Sequence, residues 1–559
     1  MVGSQPGDDV HYAGGIHANV DPHAPQDEPA TQLGLDRQGF RWALEHVDDD
    51  LVIAGVQHPQ VFGSEDLDTV ELADALLVGA GPEVLVQERG GRLATSRPQR
   101  DGEDAPALVP DSLHHLDGGI CRADLHERHA RGMRRPRALV VAATLSVGAI
   151  VAGACGGPST GTEVRSHEPR DDPQPSAVPA TVAANAALGA ALYRPLAARA
   201  GNFVFSPFGV SLGLAMAQAG AGGTTAEQLN TVQHVVAGQD LPSGLNTLMQ
   251  VLADLNGDQQ NELRKGRITL QTPDALWGQK DTRFEEPFLA SLARSFGTGM
   301  RVVDFRSDPE AARHAMNSWV SGQTQGNITE LVPRGVITET TRLEATAAAY
   351  LQAPWDQRFD LGRSTPTPFT RPDGQTVSAI MMELRAPTGL LYSKEVGWQA
   401  VEIPYLGRKL AMVVIIPDAG QLGEFEGRLD GPLLQHIVRS LAPKALDLHL
   451  PRFGFTTQGE LDDPLSQIGA PSAFTASEAD FSGMTANEAL WISGFSHQAF
   501  LSADEEGTEA SAVTIVPAQP PVVTANLTAV TANRPFIVMV VDRATSEPLF
   551  LGRVTDPTD

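Results

Sequence analysis

Cysteine is almost absent from this 559-residue chain. Only Cys121 and Cys155 occur, which excludes a disulfide framework and a cysteine-based zinc centre and leaves packing to provide stability. Positive charge is scarce as well. Lys and Arg number 41 against 68 Asp and Glu, for a formal net charge of -27. A surface with that balance repels phosphate, so nucleic acid is excluded as the main partner. No phosphate loop, dinucleotide fingerprint, HExxH helix or cysteine-pair motif occurs, so no cofactor or metal is expected. Between Ser511 and Ala532 there is no Lys, Arg, Phe or Tyr at all.

The clearest organisational signal is MRRPRALVVAATLSVGAIVAGAC, Met133–Cys155. Arg134, Arg135 and Arg137 form a basic flank, and Ala138–Ala154 is a 17-residue run without a charge. The stretch resembles a bacterial lipoprotein signal, which implies that Cys155 is lipidated and becomes the first mature residue. A single-pass signal anchor or a buried helix is the alternative, since a run of this length can just span a bilayer. In both membrane readings the arginines stay inside and the rest is exported, lipid-anchored on the extracellular face or secreted. The first 132 residues then stand in an odd place. They hold 9 Arg, no Lys, 24 Asp plus Glu and 9 of the 15 His. Only RWALEHVDDDLVIAGV and TVELADALLVGA have a pattern compatible with order. His114, His115, His126 and His129 lack metal-ligand spacing. The expectation is that translation begins near Met133 and that residues 1–132 are a spurious upstream reading or disordered. From Gly156 to about Pro179, Gly, Pro, Ser and charge read as a tether.

The remainder, about Ala180 to Asp559, alternates helix-like and strand-like segments. ATVAANAALGAALYRPLAARA reads as a helix. In FVFSPFGVSLGLAMAQAGAGGTTAEQL, a short strand leads to Ser206 and Pro207 as cap and first helical residue, then to a buried helix, a Gly break and a capping box from Thr224 to Glu227. QAVEIPYLGRKLAMVVIIPD, turning about Leu406 and Gly407, and PFIVMVVDRATSEPLFLGRV read as hairpins. Helices dominate early and strands late, which predicts an α+β fold. Gly209-Val210-Ser211-Leu212-Gly213 matches the G-x-S-x-G nucleophile elbow, and a late His497 fits the chain order. However, a helix starting at Pro207 puts Ser211 a turn inside it, away from any strained turn, and no HGGG-type oxyanion segment occurs. His497 is read as a hydrogen-bonded core histidine, and the chain as no enzyme.

One stretch spends its residues unusually: EEGTEASAVTIVPAQPP, Glu505–Pro521. With period two, Thr508, Ala510, Ala512, Thr514, Val516 and Ala518 make one small face, as a strand slipping into a tight space requires. NFVFSP with GAGGTTAEQL, MNSWVSGQTQGNITELV, VEIPYLG with MVVIIPD, ADFSGM, HQAFLSADEEGTEASAVT and NRPFIVMVVDRATSEPLFLGRVTDP occur in that order, and in them residues 180–559 resemble the serpins.

The resemblance implies a large central mixed sheet surrounded by helices, further sheets and an exposed reactive-centre loop. It implies a monomeric suicide inhibitor in which a serine protease cleaves the loop and the freed segment inserts as an extra strand, distorting the acyl-enzyme. Glu505, Glu506, Gly507, Thr508, Glu509, Ala510, Ser511 and Ala512 would be the hinge, with Gly507 absorbing the bend and Thr508 exposed until insertion. Glu505 and Trp355 resemble the sheet-top pair where insertion begins, and Ser206 and His497 two members of a polar cluster beneath the sheet. Two usual partners are replaced, by Ala347 and Gly209. Counting forward from Glu505 places the cleaved bond after Pro521, and counting back from Pro535 places it after Thr524, so Pro521, Val522, Val523 and Thr524 bracket it. Small β-branched residues suit an elastase-like or subtilisin-like protease, and Leu527 would suit a chymotrypsin-like one. The alternative is a non-inhibitory serpin acting as a binding protein, because Pro517, Pro520 and Pro521 would interrupt an inserted strand.

Overall fold

The structure is a computed structural model that describes residues 160–509 and 526–559, the strand Thr514–Ile515 and six short strands within the first 95 residues. The signal-like stretch with Cys155, the hinge residues Ala510, Ser511 and Ala512, and Pro521, Val522, Val523 and Thr524 lie outside the described residues. The chain divides into two units, Met1–Ser146 and Val147–Asp559. In the first, Asp9–His11 pairs with His17–Asn19, and Leu51–Ala54 pairs with both Gln60–Phe62 and Leu85–Glu88.

The second unit is built on a central mixed sheet. Its strands are β1 (Thr162–Val164), β2 (Gly257–Gln260), β3 (Arg264–Gln271), β4 (Asp274–Gln279), β5 (Met300–Val303), β6 (Leu343–Pro354), β7 (Phe453–Glu460), β8 (Ile492–Ala503), β9 (Gly507–Thr508) and β10 (Thr514–Ile515). The main path runs β7-β8-β6-β4-β5-β1. The hairpin β2-β3 extends the sheet above β4, and β9 lies against the end of β6.

β6 is buried along nearly its whole length, and its sequence, LEATAAAYLQAP, shows how. Alanines on both faces let a helix approach from each side without leaving large voids. Ala345, Ala347, Ala349 and Leu351 belong to the main core, which includes α2 (Pro207–Gln218). Ala348 and Tyr350 belong to a smaller core under α3 (Pro309–Gln323), where Trp319 packs edge-on to Trp277 at 5.5 Å. α2 starts as expected: Ser206 caps it by accepting the Gly209 N–H at 3.1 Å, Pro207 occupies its first turn, and its residues through Ala217 are buried. An all-round apolar helix between other elements has no polar stripe to show in sequence. α1 (Val178–Ala197) is the predicted first helix and is also largely buried.

A second, nine-stranded sheet holds both predicted hairpins, Trp398–Pro404 with Leu410–Pro417 and Phe536–Asp542 with Pro548–Val554. In the first turn Gly407 and Arg408 take φ of 82° and 56°. Two local expectations are corrected. The helix after the Gly break runs Gly223–Val232 with Gly222 as its N-cap and no side-chain cap, so Thr224 and Glu227 form no capping box. Gly222 is held there because its N–H donates to the Asp480 carbonyl at 2.8 Å. Part of the stretch read as a tether is laid on the domain: β1 pairs with β5, the Arg170 side chain donates to Asn246 Oδ1 at 2.7 Å, and the Gln174 N–H donates to Thr247 Oγ1. Three residues suffice for a ladder at a sheet edge, too few to register as a periodic pattern.

Candidate functional site

β6 and β8 are parallel neighbours over Leu343–Ala349 and Ile492–Ala499. Above that point they part. The upper end of β6 pairs with β3 on one side, and on the other with β9, which runs antiparallel to it with Thr508 opposite Ala353 and Gly507 opposite Pro354. The chain leaving β8 therefore doubles back and starts down the gap between β6 and β8. Asp504 makes the turn: its Oδ1 accepts the N–H groups of Glu506 and Gly507 at 2.8 and 2.9 Å. The loop leaves the sheet at Glu509, whose φ of 42° lies in the left-handed region, a conformation that costs a non-glycine residue roughly 1 kcal/mol or more. Among the described hinge residues, Glu509 and not Gly507 takes a positive φ. Further on, Thr514–Ile515 lies beside Arg264–Lys265 of β3, and up to Ala349 β6 and β8 pair directly with each other.

The two hinge glutamates are clamped. Glu505, 2% exposed, accepts from Ser364 and from the Arg452 guanidinium at 2.7 Å. Burial pushes its pKa up, but the hydrogen bonds from Ser364, its own backbone and Arg452 outweigh that and hold it below the ordinary carboxylate range. Glu506 accepts from Arg264 at 2.6 Å and Arg358 at 3.2 Å. Trp355 serves the backbone of the turn: its indole donates to the Asp504 carbonyl and its N–H to the Glu506 carbonyl, both at 2.8 Å. It stacks on Tyr405 at 4.6 Å, and the Tyr405 hydroxyl lies 2.7 Å from Thr508 Oγ1. Thr508 in turn donates to the Ser502 carbonyl at 2.8 Å and is wholly buried. The expectation that Thr508 is exposed before insertion is thus corrected. The first step of strand pairing is already made, because these clamps hold the turn over the gap.

Beneath the sheet, His497 is fully buried and both its nitrogens are engaged. Nε2 accepts the Ser206 N–H at 3.1 Å, so Nδ1–H donates to the Ala347 carbonyl at 2.8 Å, tying β8 to β6. Burial pushes its pKa down to about 4 despite the opposing Ala347 bond, so it is neutral. Ser211 is buried inside α2 and its hydroxyl has no partner, which disposes of the nucleophile elbow.

Sequence reasoning missed a further polar residue beside this cluster. Asp274 opens β4 opposite Ala347, and a Cβ on Gly209 would lie 3.3 Å from its Oδ1 and 3.6 Å from the Ala347 side chain. The two substituted positions thus flank a buried carboxyl whose oxygens have no hydrogen-bond partner, and burial holds its pKa well above the ordinary value. The only signal in the sequence was an acid at the head of an apolar strand. A carboxyl with a raised folded-state pKa supports folding below its unfolded pKa and opposes it progressively as pH rises. Asp274→Asn is therefore expected to melt at a higher temperature than wild type at pH 8, with the gap closing by pH 4. A constant gap across that range would show that Asp274 does not titrate on unfolding.

The architecture is that of a protein with a closed sheet and an antiparallel strand started at its top. A sequence model of the family described as Serpin (serine protease inhibitor) matches residues 183–557. The chain is 32% identical over 372 residues to an uncharacterized serpin-like protein of Thermococcus kodakarensis, covering 66% of this chain and 84% of that one. It is 34% identical over 371 residues to the bovine leukocyte elastase inhibitor, covering 64% and 94%, and 31% identical over 378 residues to the human one. Among solved structures, the native thermophilic serpin tengpin superposes with a TM-score of 0.62 at 23% identity over 70% of this chain and 97% of its own. Maspin does so at 0.60 and 22%. The chain belongs to the serpin family.

Proposed function

We propose that the protein is an exported suicide inhibitor of serine proteases, anchored through Cys155 and trapping its target by inserting the cleaved loop between β6 and β8. The observation that carries this reading is the register of β9. Continued down β6, it places Ala510 opposite Leu351, Ala512 opposite Ala349, Thr514 opposite Ala347, Val516 opposite Ala345 and Ala518 opposite Leu343. Small residues then meet Ala345, Ala347 and Ala349 of β6 on the inner face, with Leu343 and Leu351 at the two ends. The same register weighs the prolines. Pro520 and Pro521 fall beyond Leu343, where β6 begins. Only Pro517 lies within the ladder, opposite Glu344. Because Trp355 N–H donates to Glu506 O, pairs at odd numbers of β6 exchange hydrogen bonds and the pair at Glu344 does not. The missing proline donor therefore faces β8 and forfeits one bond there, roughly 1 kcal/mol.

That loss is the observation favouring the second reading, a serpin kept as a binding protein. A single bond weighs little against a strand paired on both sides. Val522, Val523 and Thr524 and the relatives named leukocyte elastase inhibitors favour a protease with a small apolar pocket, elastase-like or subtilisin-like. Incubating residues 156–559 with elastase-like, subtilisin-like, chymotrypsin-like and trypsin-like proteases is expected to give a denaturant-resistant covalent complex with one of the first two. The new C-terminus should lie between Pro521 and Thr524, with more than one inhibitor consumed per protease. Cleavage by every enzyme with no complex establishes the binding-protein reading.

A further inference from the structure

The outer face of the seam carries a polar group separate from the histidine cluster. On β8, Ser496 Oγ lies 2.8 Å from Glu344 Oε1 on β6 and 2.7 Å from Glu460 Oε1 on β7. A hydroxyl has one proton to donate. It can therefore serve one carboxylate, and the other carboxyl must itself donate to the hydroxyl, which requires that it be protonated. Gly494 makes the meeting possible: a Cβ there would lie 2.8 Å from Glu344 Oε2 and 2.9 Å from Glu460 Oε2. Glu344 is 1% exposed, and Glu460 Oε2 is buried without a partner.

No cation offsets the pair, since among the described residues neither carboxyl has an ion-pair partner. Arg342, at the foot of β6, donates to the carbonyls of Glu339 and Thr341 and lies over Trp491. In the segment that covers this face, Glu330 is paired with Arg313 of α3. Beyond β7, Asp462 adds negative charge beside Asp463. His497 points to the opposite face, towards Ser206. Burial, and then repulsion from Glu460, holds Glu344 well above the ordinary carboxylate range, and burial does the same to a lesser degree for Glu460.

We infer that Glu344, Ser496 and Glu460 form a proton-dependent latch across the β6–β8 seam, closed while one proton is shared and released when it is lost. The inference rests on the strand-insertion reading. In the register set by β9, the residue that lands opposite Glu344 on the same face is Pro517, which has no polar group to offer. A new strand also moves β6 one strand spacing, about 4.8 Å, away from β8. Insertion therefore breaks the Glu344–Ser496 bond and keeps the Glu460–Ser496 bond, since β7 and β8 stay paired. With the carboxyls further apart, both can ionise more readily. The closed sheet binds more protons than the open one, so raising the pH favours opening.

The latch is tested on the full uncleaved chain with a synthetic peptide of the sequence Thr508–Ala518 as a probe for an open seam. Its rate of incorporation is measured between pH 5 and pH 9. His497 is already neutral throughout that range, and Asp274 titrates alike in all variants. The wild-type rate is expected to rise at least tenfold across the range. Glu344→Gln donates its amide proton to Ser496 without needing an acid, and is expected to keep the slow rate and lose most of the rise. Glu460→Gln, at the half-buried end, gives the same answer if the first variant does not fold. An equal rise in wild type and variant overturns the latch and leaves insertion standing. Failure of the peptide to incorporate into any of the proteins at any pH overturns the insertion reading and the latch together.

Discussion

Nicking the loop between Val513 and Thr531 is expected to raise the melting temperature of the domain on the order of 10 °C or more. In the uncleaved chain the seam is half finished. Below Ala349, β6 and β8 form a parallel pair, whose slanted hydrogen bonds are slightly weaker per residue than antiparallel ones. Above it, among the described residues, the partner of β6 on that side is the two-residue β9. A freed segment running from Thr508 to Ala518 replaces the parallel seam with two antiparallel ones. It also relieves the left-handed backbone of Glu509, returning that residue to an extended conformation. The intact chain cannot reach this state easily, because the same residues must span back to Thr528–Thr531, which pairs with Ala442–Pro451 in the second sheet. Cutting that span removes the restraint. Calorimetry before and after limited proteolysis decides the matter, and an unchanged or lower midpoint shows that the nicked loop does not insert.

What could be read from the sequence, and what could not, divides by the range of the interactions. The hairpin about Gly407 and the Ser206–Pro207 helix start are local patterns and were legible. The burial of Thr508 was not, since it depends on Tyr405, Trp355, Arg264 and Arg452, each brought to the hinge from 50 or more residues away. His497 was read as a hydrogen-bonded core histidine, and it is buried and bonded through both ring nitrogens. Its partners are a backbone N–H and a backbone carbonyl, which no side-chain motif can announce. Asp274 and the Glu344–Ser496–Glu460 group are isolated polar residues in otherwise apolar strands. Their meaning appears only when three strands are set side by side. The register of β9 is of the same kind: the alternation of small residues was visible, but the pairing of Thr508 with Ala353 and of Gly507 with Pro354 was not.

That register makes the hinge testable at a second position. Thr508→Arg is expected to harm the uncleaved protein as well, because Thr508 is wholly buried and bonded to both Tyr405 and Ser502. Ala512→Arg instead targets the proposed inserted state, in which the β9 register, if continued, would set residue 512 opposite Ala349. Ala349 is fully buried in the main core, so the guanidinium would be left unpaired in an apolar setting. Even about 3 kcal/mol of added cost along the insertion path slows that path roughly a hundredfold. Hydrolysis of the acyl-enzyme is untouched by the substitution and then wins the competition. The variant is expected to be cleaved at the same bond as wild type, to yield almost no covalent complex, and to gain no heat resistance on nicking. Both measurements must move together, since one substitution blocks one strand. A variant that traps protease at the wild-type yield removes strand insertion as the mechanism. One that loses trapping but still gains heat resistance on nicking shows that the loop inserts too late to catch the enzyme.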